Sequence, residues 1–309
     1  MLKAEQNLTK NLLKNICQES SIFKGGVNMP KISVIGICGN SVFMYADHFH
    51  EPGETLVADS VYEEIGGKGI NQAIAAKRMG AEVSFLCAVG DDENGKKCIQ
   101  TLKENNINAY CKTKNGKSTP LAFILTDKNG ENRVTVHKSA QLSAKDVISF
   151  ENEIASSDVL LLQQEVPDEV NETAVKLAEK HNVRVILNPA PIRNISDEMS
   201  GKIFAVTPNE QEMQAIETDH FKNCITTVGK KGCVINNSEA VPGIEVKVVD
   251  TTGAGDTFNG VLAVCIAEGM DLKEACRYAV TASGISVGRK YVLNAIPHRE
   301  ETERKMKNE

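Results

Sequence analysis

The sequence predicts an α/β fold: a mainly parallel central sheet flanked by helices, with a small β-sheet lid. Three observations lead there. Short apolar runs alternate with helical patterns along most of the chain, which is the rhythm of βαβ units. Segments that alternate apolar and polar residues interrupt that rhythm, as strands with one solvated face do. The interruptions fall inside the α/β order, so they describe an insertion in one body rather than a second sequential domain.

In chain order, residues 1–29 stand apart as an N-terminal extension. Leu8, Leu12, Leu13 and Ile16 have helical spacing, and Gly25-Gly26 breaks it. The stretch is too short for a domain and is expected to be dispensable for chemistry. Residues 30–309 form the main body, opening with a strand at 31–36. Buried-strand runs follow at 83–89, 159–162, 183–187, 203–207 and 224–228, with helical patterns at 69–79, 94–104, 144–155 and 169–181. Lid strands are expected at 55–65, 110–114, 120–126 and 133–137, within about residues 40–66 and 109–138. Near the C-terminus a strand at 245–249 leads into a buried helix at 260–269. There is no internal repeat.

Composition excludes several function classes. The 309 residues, 41% hydrophobic and 25% charged, describe a soluble globular chain with ample core. A net charge of -6 with both signs interspersed leaves no basic footprint for nucleic acid. No apolar run reaches the roughly 18 residues of a membrane span, and no signal-peptide pattern opens the chain. The nine cysteines (17, 38, 87, 98, 111, 224, 233, 265 and 276) include no CxxC pair and read as free thiols of a reducing cytoplasm. Asp47, His48 and His50 lack a third-ligand pattern and read as lid surface rather than a metal site.

The chemistry concentrates in Val249-Asp250-Thr251-Thr252-Gly253-Ala254-Gly255-Asp256-Thr257-Phe258-Asn259-Gly260. Glycines at 253 and 255 let the backbone turn its N–H groups toward one point, and a helix N-terminus adds about half a positive charge there. Gly253, Ala254 and Gly255 therefore read as an anion turn, with Asp256 as a carboxylate base at its rim. Phosphoryl transfer to a hydroxyl needs that pairing. The plainer alternative is a helix start with glycines in a tight turn.

A second string, Gly66-Gly67-Lys68-Gly69-Ile70-Asn71-Gln72-Ala73, follows a lid strand and opens a helix. Lys68 is not followed by Ser or Thr, so this is not a Walker A loop. On residues alone the string reads equally as a helix start with a Gly-rich turn and as a site where Gly67 allows close backbone approach to a polyol, with Lys68 and Asn71 hydrogen-bonding its hydroxyls. Two segments sit directly after buried strands, where ligands of open α/β sheets gather: Asn188-Pro189-Ala190-Pro191 and Thr207-Pro208-Asn209-Glu210-Gln211-Glu212. On residues alone, the first is equally a rigid strand exit and the second a capped helix start.

In this order, the strings at 66–73 and 250–260 closely resemble the two signatures of the ribokinase-like (PfkB) carbohydrate kinases, and the resemblance extends over about residues 31–305. It implies a ribokinase-like fold and ATP-dependent phosphorylation of a sugar or sugar-like hydroxyl, with Asp256 as general base. It further implies that Asn209 and Glu212 help place Mg²⁺, through water or the nucleotide phosphates, and that Thr227, Gly229 and Gly232 lie in a nucleotide-contact turn. Glu165 stands where family members often touch the sugar.

Three departures bear on specificity. Gly39-Asn40-Ser41 replaces an Asn-x-Asp pair that holds sugar hydroxyls, so Ser41 takes the place of a carboxylate. The connection from Glu212 to Cys224 has room for little more than a short helix. Tyr291-Val292-Leu293-Asn294-Ala295 replaces a Gly-Ala-rich segment near the adenine and monovalent-cation sites, which leaves potassium activation open. The rival readings are a nucleoside kinase of the same fold and a catalytically weak sugar-binding regulatory protein. A dinucleotide oxidoreductase ranks last, because Gly36-Ile37-Cys38-Gly39 lacks the full glycine spacing. The expected partner is a small-molecule sugar or nucleoside, with no nucleic acid or membrane, in a cytoplasmic homodimer joined through the lid.

Overall fold

The computed structural model describes residues 29–217 and 220–308; the expectation for 1–29 therefore lies almost wholly outside the described residues. The chain opens with β1 (Lys31–Ile35), then β2 (Gly39–Tyr45), β3 (Ser60–Gly66), α1 (Lys68–Arg78), β4 (Glu82–Gly90), α2 (Glu93–Glu104) and β5 (Asn108–Lys114). Next come β6 (Leu121–Thr126), β7 (Asn132–His137), α3 (Ala144–Ile148), α4 (Glu151–Ala155), β8 (Val159–Gln163), α5 (Asp168–Lys180) and β9 (Arg184–Asn188). The last part holds α6 (Asp197–Ser200), β10 (Ala205–Val206), β11 (Ile225–Thr227), β12 (Cys233–Ile235), β13 (Glu239–Val241), α7 (Ala254–Ala267), α8 (Leu272–Ser286) and α9 (Arg299–Lys307).

Six strands form one parallel sheet in the order β10-β9-β8-β1-β4-β5. Their apolar runs are buried on both faces, and successive residues divide between two cores. Val34, Phe85 and Leu161 pack with α1, α7 and α8, while Ile35, Leu86, Leu160 and Leu162 pack with α3, α4 and α5. A strand buried on both faces has no polar side, which is why these segments read as continuous apolar runs.

The lid is a four-stranded sheet ordered β3-β2-β6-β7, antiparallel except for the parallel β2–β6 pair. Two sequence expectations are corrected here. Residues 110–114 are not a lid strand; β5 pairs parallel with β4 as the main sheet's edge. At the sheet's edge the flanking helices cover it only in part, Tyr110 against one core and Cys111 against the other, so polar residues interleave with apolar ones as in a lid strand. The strand expected at 245–249 is absent, and 242–248 carry no regular structure. Ile244 and Val246, half-buried, line a cavity instead of a sheet face. The expected lid strand at 55–65 begins only at Ser60, and the helix expected from 260 begins at Ala254. Among its described residues, the connection after Glu212 carries a 3-10 turn at Glu212–Ala215.

Strand order reverses beside β1, whose neighbours are β4 on one side and β8 on the other. The crevice at the carboxyl ends of such strands is where open α/β sheets bind ligands. Backbones converge there: a Cβ on Gly36, just past β1, would stand 2.7 Å from the Cα of Gly69 in α1. Helices α1 and α7 cross just as closely, since a Cβ on Gly260 would lie 2.5 Å from both the Ala75 Cβ and the Gln72 carbonyl oxygen. Glycine is disfavoured inside helices, but nothing larger fits at this crossing.

Gly260→Ala is expected to destabilise the protein by about 1–3 kcal/mol through overpacking, despite alanine's better helix propensity. Urea denaturation would check it; an unchanged or raised midpoint would show that the crossing tolerates a methyl group.

Candidate active site

Helix α7 starts at the anion turn. Gly253 is its N-cap with φ 75°, in the left-handed region that favours glycine. A Cβ there would also meet Val292 Cγ1 at 2.4 Å. The first N–H groups of a helix have no partner within it. Ala254 N–H turns back to the Thr251 carbonyl at 3.3 Å, which leaves the Gly253 and Gly255 N–H groups as the turn's open donors.

Within the first turn of the helix, Asp256 is buried. Its Oδ2 accepts from Asn71 Nδ2 at 2.8 Å, and its Oδ1 accepts from Gln72 Nε2 at 3.0 Å. An ionised carboxylate offers about four lone-pair sites, so two remain for a hydroxyl. Asn71 Oδ1, beside it, is buried without a hydrogen-bond partner. A buried acceptor left open next to a carboxylate suits a ligand hydroxyl that donates.

Around this carboxylate runs a network that ties the strand exits together. Gln72 Nε2 also donates to Asn188 Oδ1 at 3.2 Å, and Gln72 Oε1 accepts from Gln163 Nε2 at 2.7 Å. Asn188 Nδ2 donates to the Thr207 carbonyl at 3.3 Å, and Thr207 Oγ1 donates to Asn259 Oδ1 at 2.6 Å. Gln163, Asn188 and Thr207 end or follow β8, β9 and β10, so the crevice has a polar floor. Sequence reading passed over Gln72, Gln163 and Asn259 as site residues. A signal was there: a glutamine ends the otherwise apolar run 159–162, and an asparagine and a glutamine sit in helical segments that are otherwise buried.

Charge is balanced at Lys68, the first residue of α1. The Asp256 carboxylate, helped by Glu165 and Glu212, holds its ammonium above the ordinary lysine range against the opposing effect of burial. Glu165 Oε2 accepts the Lys68 backbone N–H at 2.8 Å. Burial raises the Glu165 carboxyl, and the Lys68 charge pulls it back down. Lys138, a residue that sequence reading also passed over, donates from Nζ to the Glu165 carbonyl at 2.8 Å. The structure thus brings Gly67, Lys68, Asn71, Glu165 and Asp256 together.

Ser41 lies on β2 opposite Glu64 of β3, and its Oγ would stand 2.6 Å from a Cβ on Gly66. It borders the Gly66-Gly67 turn, with no hydrogen bond to Lys68, Asn71 or Glu165. On the other side of the anion turn lies a cavity of about 820 Å³ lined by Asn209, Thr227, Gly229, Gly232, Ala254 and Gly255, with Ile244, Val246, Val280 and Val287 as apolar wall. All four residues expected to contact a nucleotide therefore share one cavity, which opens onto the anion turn. Glu212 stands at its edge, where Oε2 accepts the Asn209 N–H at 2.9 Å and burial raises its carboxyl.

Comparison with known proteins agrees with this geometry. The family model described as pfkB family carbohydrate kinase matches residues 29–299. A ribokinase of Haemophilus influenzae is 35% identical over 295 residues, covering 88% of this chain and 96% of its own. The crystal structure of a ribokinase from Thermotoga maritima is 33% identical and superposes with a TM-score of 0.82, covering 91% of this chain and all of its own, at 100%. The Arabidopsis thaliana ribokinase, solved with ribose and ATP, is 25% identical with a TM-score of 0.80, covering 91% of this chain and 99% of its own.

Gln72 gives the test of the network. Gln72→Leu removes the amide that serves Asp256, Asn188 and Gln163 at once and leaves their buried polar atoms unpaired. The expected cost is about 1–3 kcal/mol per orphaned group in folding stability, and a lower kcat. A variant as stable and as active as the parent would show that the network is dispensable.

Proposed function

We propose that this chain, which belongs to the pfkB family of carbohydrate kinases, transfers the γ-phosphoryl group of ATP to a sugar hydroxyl, with Asp256 as general base. The observation that carries the reading is the buried Asp256, oriented by Asn71 and Gln72 at the first turn of a helix whose N-terminal N–H donors face a nucleotide-sized cavity. The acceptor sits over Asn71, Lys68 and Glu165, the nucleotide in the cavity, and the transferring group between them. Asp256 takes the hydroxyl proton as the oxygen attacks phosphorus, and the bond to the β-phosphate breaks to release ADP. Developing charge on the phosphoryl oxygens meets the Gly253 and Gly255 N–H groups and the helix N-terminus.

Mg²⁺ fits the donor set. Glu212 offers a carboxylate at the cavity's edge, and a hard divalent cation typically takes one or two carboxylates together with substrate phosphates and water. Bound there, it would neutralise phosphate charge. The lid residues Phe123, Val134 and Val136 are exposed, which supports a second copy of the chain as their cover and so a homodimer through the lid. Among the described residues the eight cysteines are free thiols, in keeping with a reducing cytoplasm.

Removing the base tests the mechanism. Asp256→Asn is expected to lower kcat by about 10²–10⁴ while ATP affinity changes little, because a base acts in the transition state. Near-parental turnover would remove Asp256 from the role.

Acceptor choice rests on Ser41. A serine supplies one neutral hydroxyl where a carboxylate would accept two hydrogen bonds. Loss of a charge-assisted bond costs about 1.5–3 kcal/mol, or about one to two decades. Free ribose is therefore expected to be phosphorylated with lower kcat/KM than at least one other compound in a panel of pentoses, deoxypentoses, hexoses and nucleosides. Ribose matching or exceeding every other compound would refute this.

A further inference from the structure

Three residues beside the anion turn grip two parts of the molecule at once. Tyr291 has φ 66°, a conformation that non-glycine residues hold only where their surroundings over-determine it. Its ring stacks on Tyr62 of β3, with centroids 3.5 Å apart and planes 14° from parallel. Phe43 of β2 meets both rings, at 6.3 and 6.5 Å. The next two backbone N–H groups, of Val292 and Leu293, donate to the two carboxylate oxygens of Glu64 on the same lid strand, at 2.9 and 3.3 Å.

The other side of the segment holds the anion turn. Tyr291 N–H donates to Asp250 Oδ2 at 3.2 Å, while Asp250 Oδ1 accepts the Thr252 N–H at 2.9 Å. Val292 is buried, and its side chain fills the space that a Cβ on Gly253 would need. The lid strand so held runs on directly into Gly67 and Lys68. A path of direct contacts therefore leads from the lid, through residues 291–293, to the N-cap of α7.

We propose that Tyr291, together with Tyr62 and Glu64, forms a clasp that makes the geometry of the anion turn depend on the position of the lid. Tyr291 is a positioning residue: it touches neither acceptor nor nucleotide in the proposed reaction and acts through Asp250, Val292 and Gly253. When the lid moves away, the ring stack and both Glu64 bonds break together, and the turn loses its support from that side. Closure of the lid over an acceptor then completes the donor set for the phosphoryl group. This rests on the kinase reading of Asp256 and the anion turn, although the mechanical link itself stands on contacts alone.

Hydrogen exchange on the full chain tests the link without any substrate. Tyr291→Gly removes the ring and suits the positive φ, so the fold is expected to survive. Amide exchange should then quicken by about tenfold both in the lid strand 60–66 and in the turn 250–257. Tyr291→Phe keeps the stack and should restore the parental pattern. Quickening confined to 289–295, or to the lid alone, would overturn the clasp. Kinetics with MgATP and each sugar of the panel, D-ribose included, form the second arm. Tyr62→Ala and Tyr291→Gly should each lower kcat/KM by about tenfold, and the double variant should fall no further than the worse single one. Multiplying losses would count against the clasp. If the parental protein phosphorylates no sugar, the kinase reading fails while the exchange result still decides the clasp.

Discussion

The close crossing of α1 and α7 is the constraint on which the site depends. Asn71 and Gln72 come from one helix and Asp256 from the other, more than 180 residues along the chain. Their hydrogen bonds exist only because Gly260 lets the helices approach until backbone meets side-chain methyl. Had either helix carried a larger residue at the crossing, Asp256 would stand farther from the amides that orient it. A carboxylate buried without such donors is left with unsatisfied lone pairs and no fixed orientation, so on the proposed reading it would be a poorly aimed base. On that reading, packing and base chemistry are in this respect the same requirement.

Much of this was legible in the sequence because it is local. The helix start at 253–256 and the glycines at 66–67 declare themselves by residue type and neighbourhood, and the apolar runs of the central sheet by their continuity. The misreadings share a cause. Alternation reports that a segment has one wet face, without saying what covers the other. For β5 the polar residues come from partial cover at the sheet's edge, with Tyr110 and Cys111 packed against opposite cores, and in the segment after β13 the apolar Ile244 and Val246 line a cavity. Neither can be told from a lid strand without knowing the partner.

Long-range contacts were the illegible part. Gln72 and Gln163 are 91 residues apart and share a hydrogen bond; nothing near either residue announces the other. Glu64 looks like an ordinary solvated strand residue, and Tyr291 like an ordinary loop residue. Only the fold shows the carboxylate capping the backbone of 292–293 and the two tyrosines stacked. The network and the clasp are properties of tertiary register, whereas motifs are properties of sequence.

Charge gives the site a further logic. Lys68 is set among Asp256, Glu165 and Glu212, with Lys138 touching the Glu165 backbone. Three carboxylates thus face two ammonium groups before any nucleotide arrives. A triphosphate in the cavity beside Glu212 would add several more negative charges, at separations where a low effective dielectric makes like-charge repulsion costly. The two open N–H groups and the dipole of α7 supply only partial positive charge, and Lys230 on the cavity wall is offset there by Glu210 and Glu245. On the proposed reading, the protein alone therefore cannot balance its nucleotide, and the balance has to enter with it as a cation on the phosphates. On that reading Glu212, half-buried beside Asn209, would meet a cation already carried by the substrate, where a dedicated metal cage would need several carboxylates of its own.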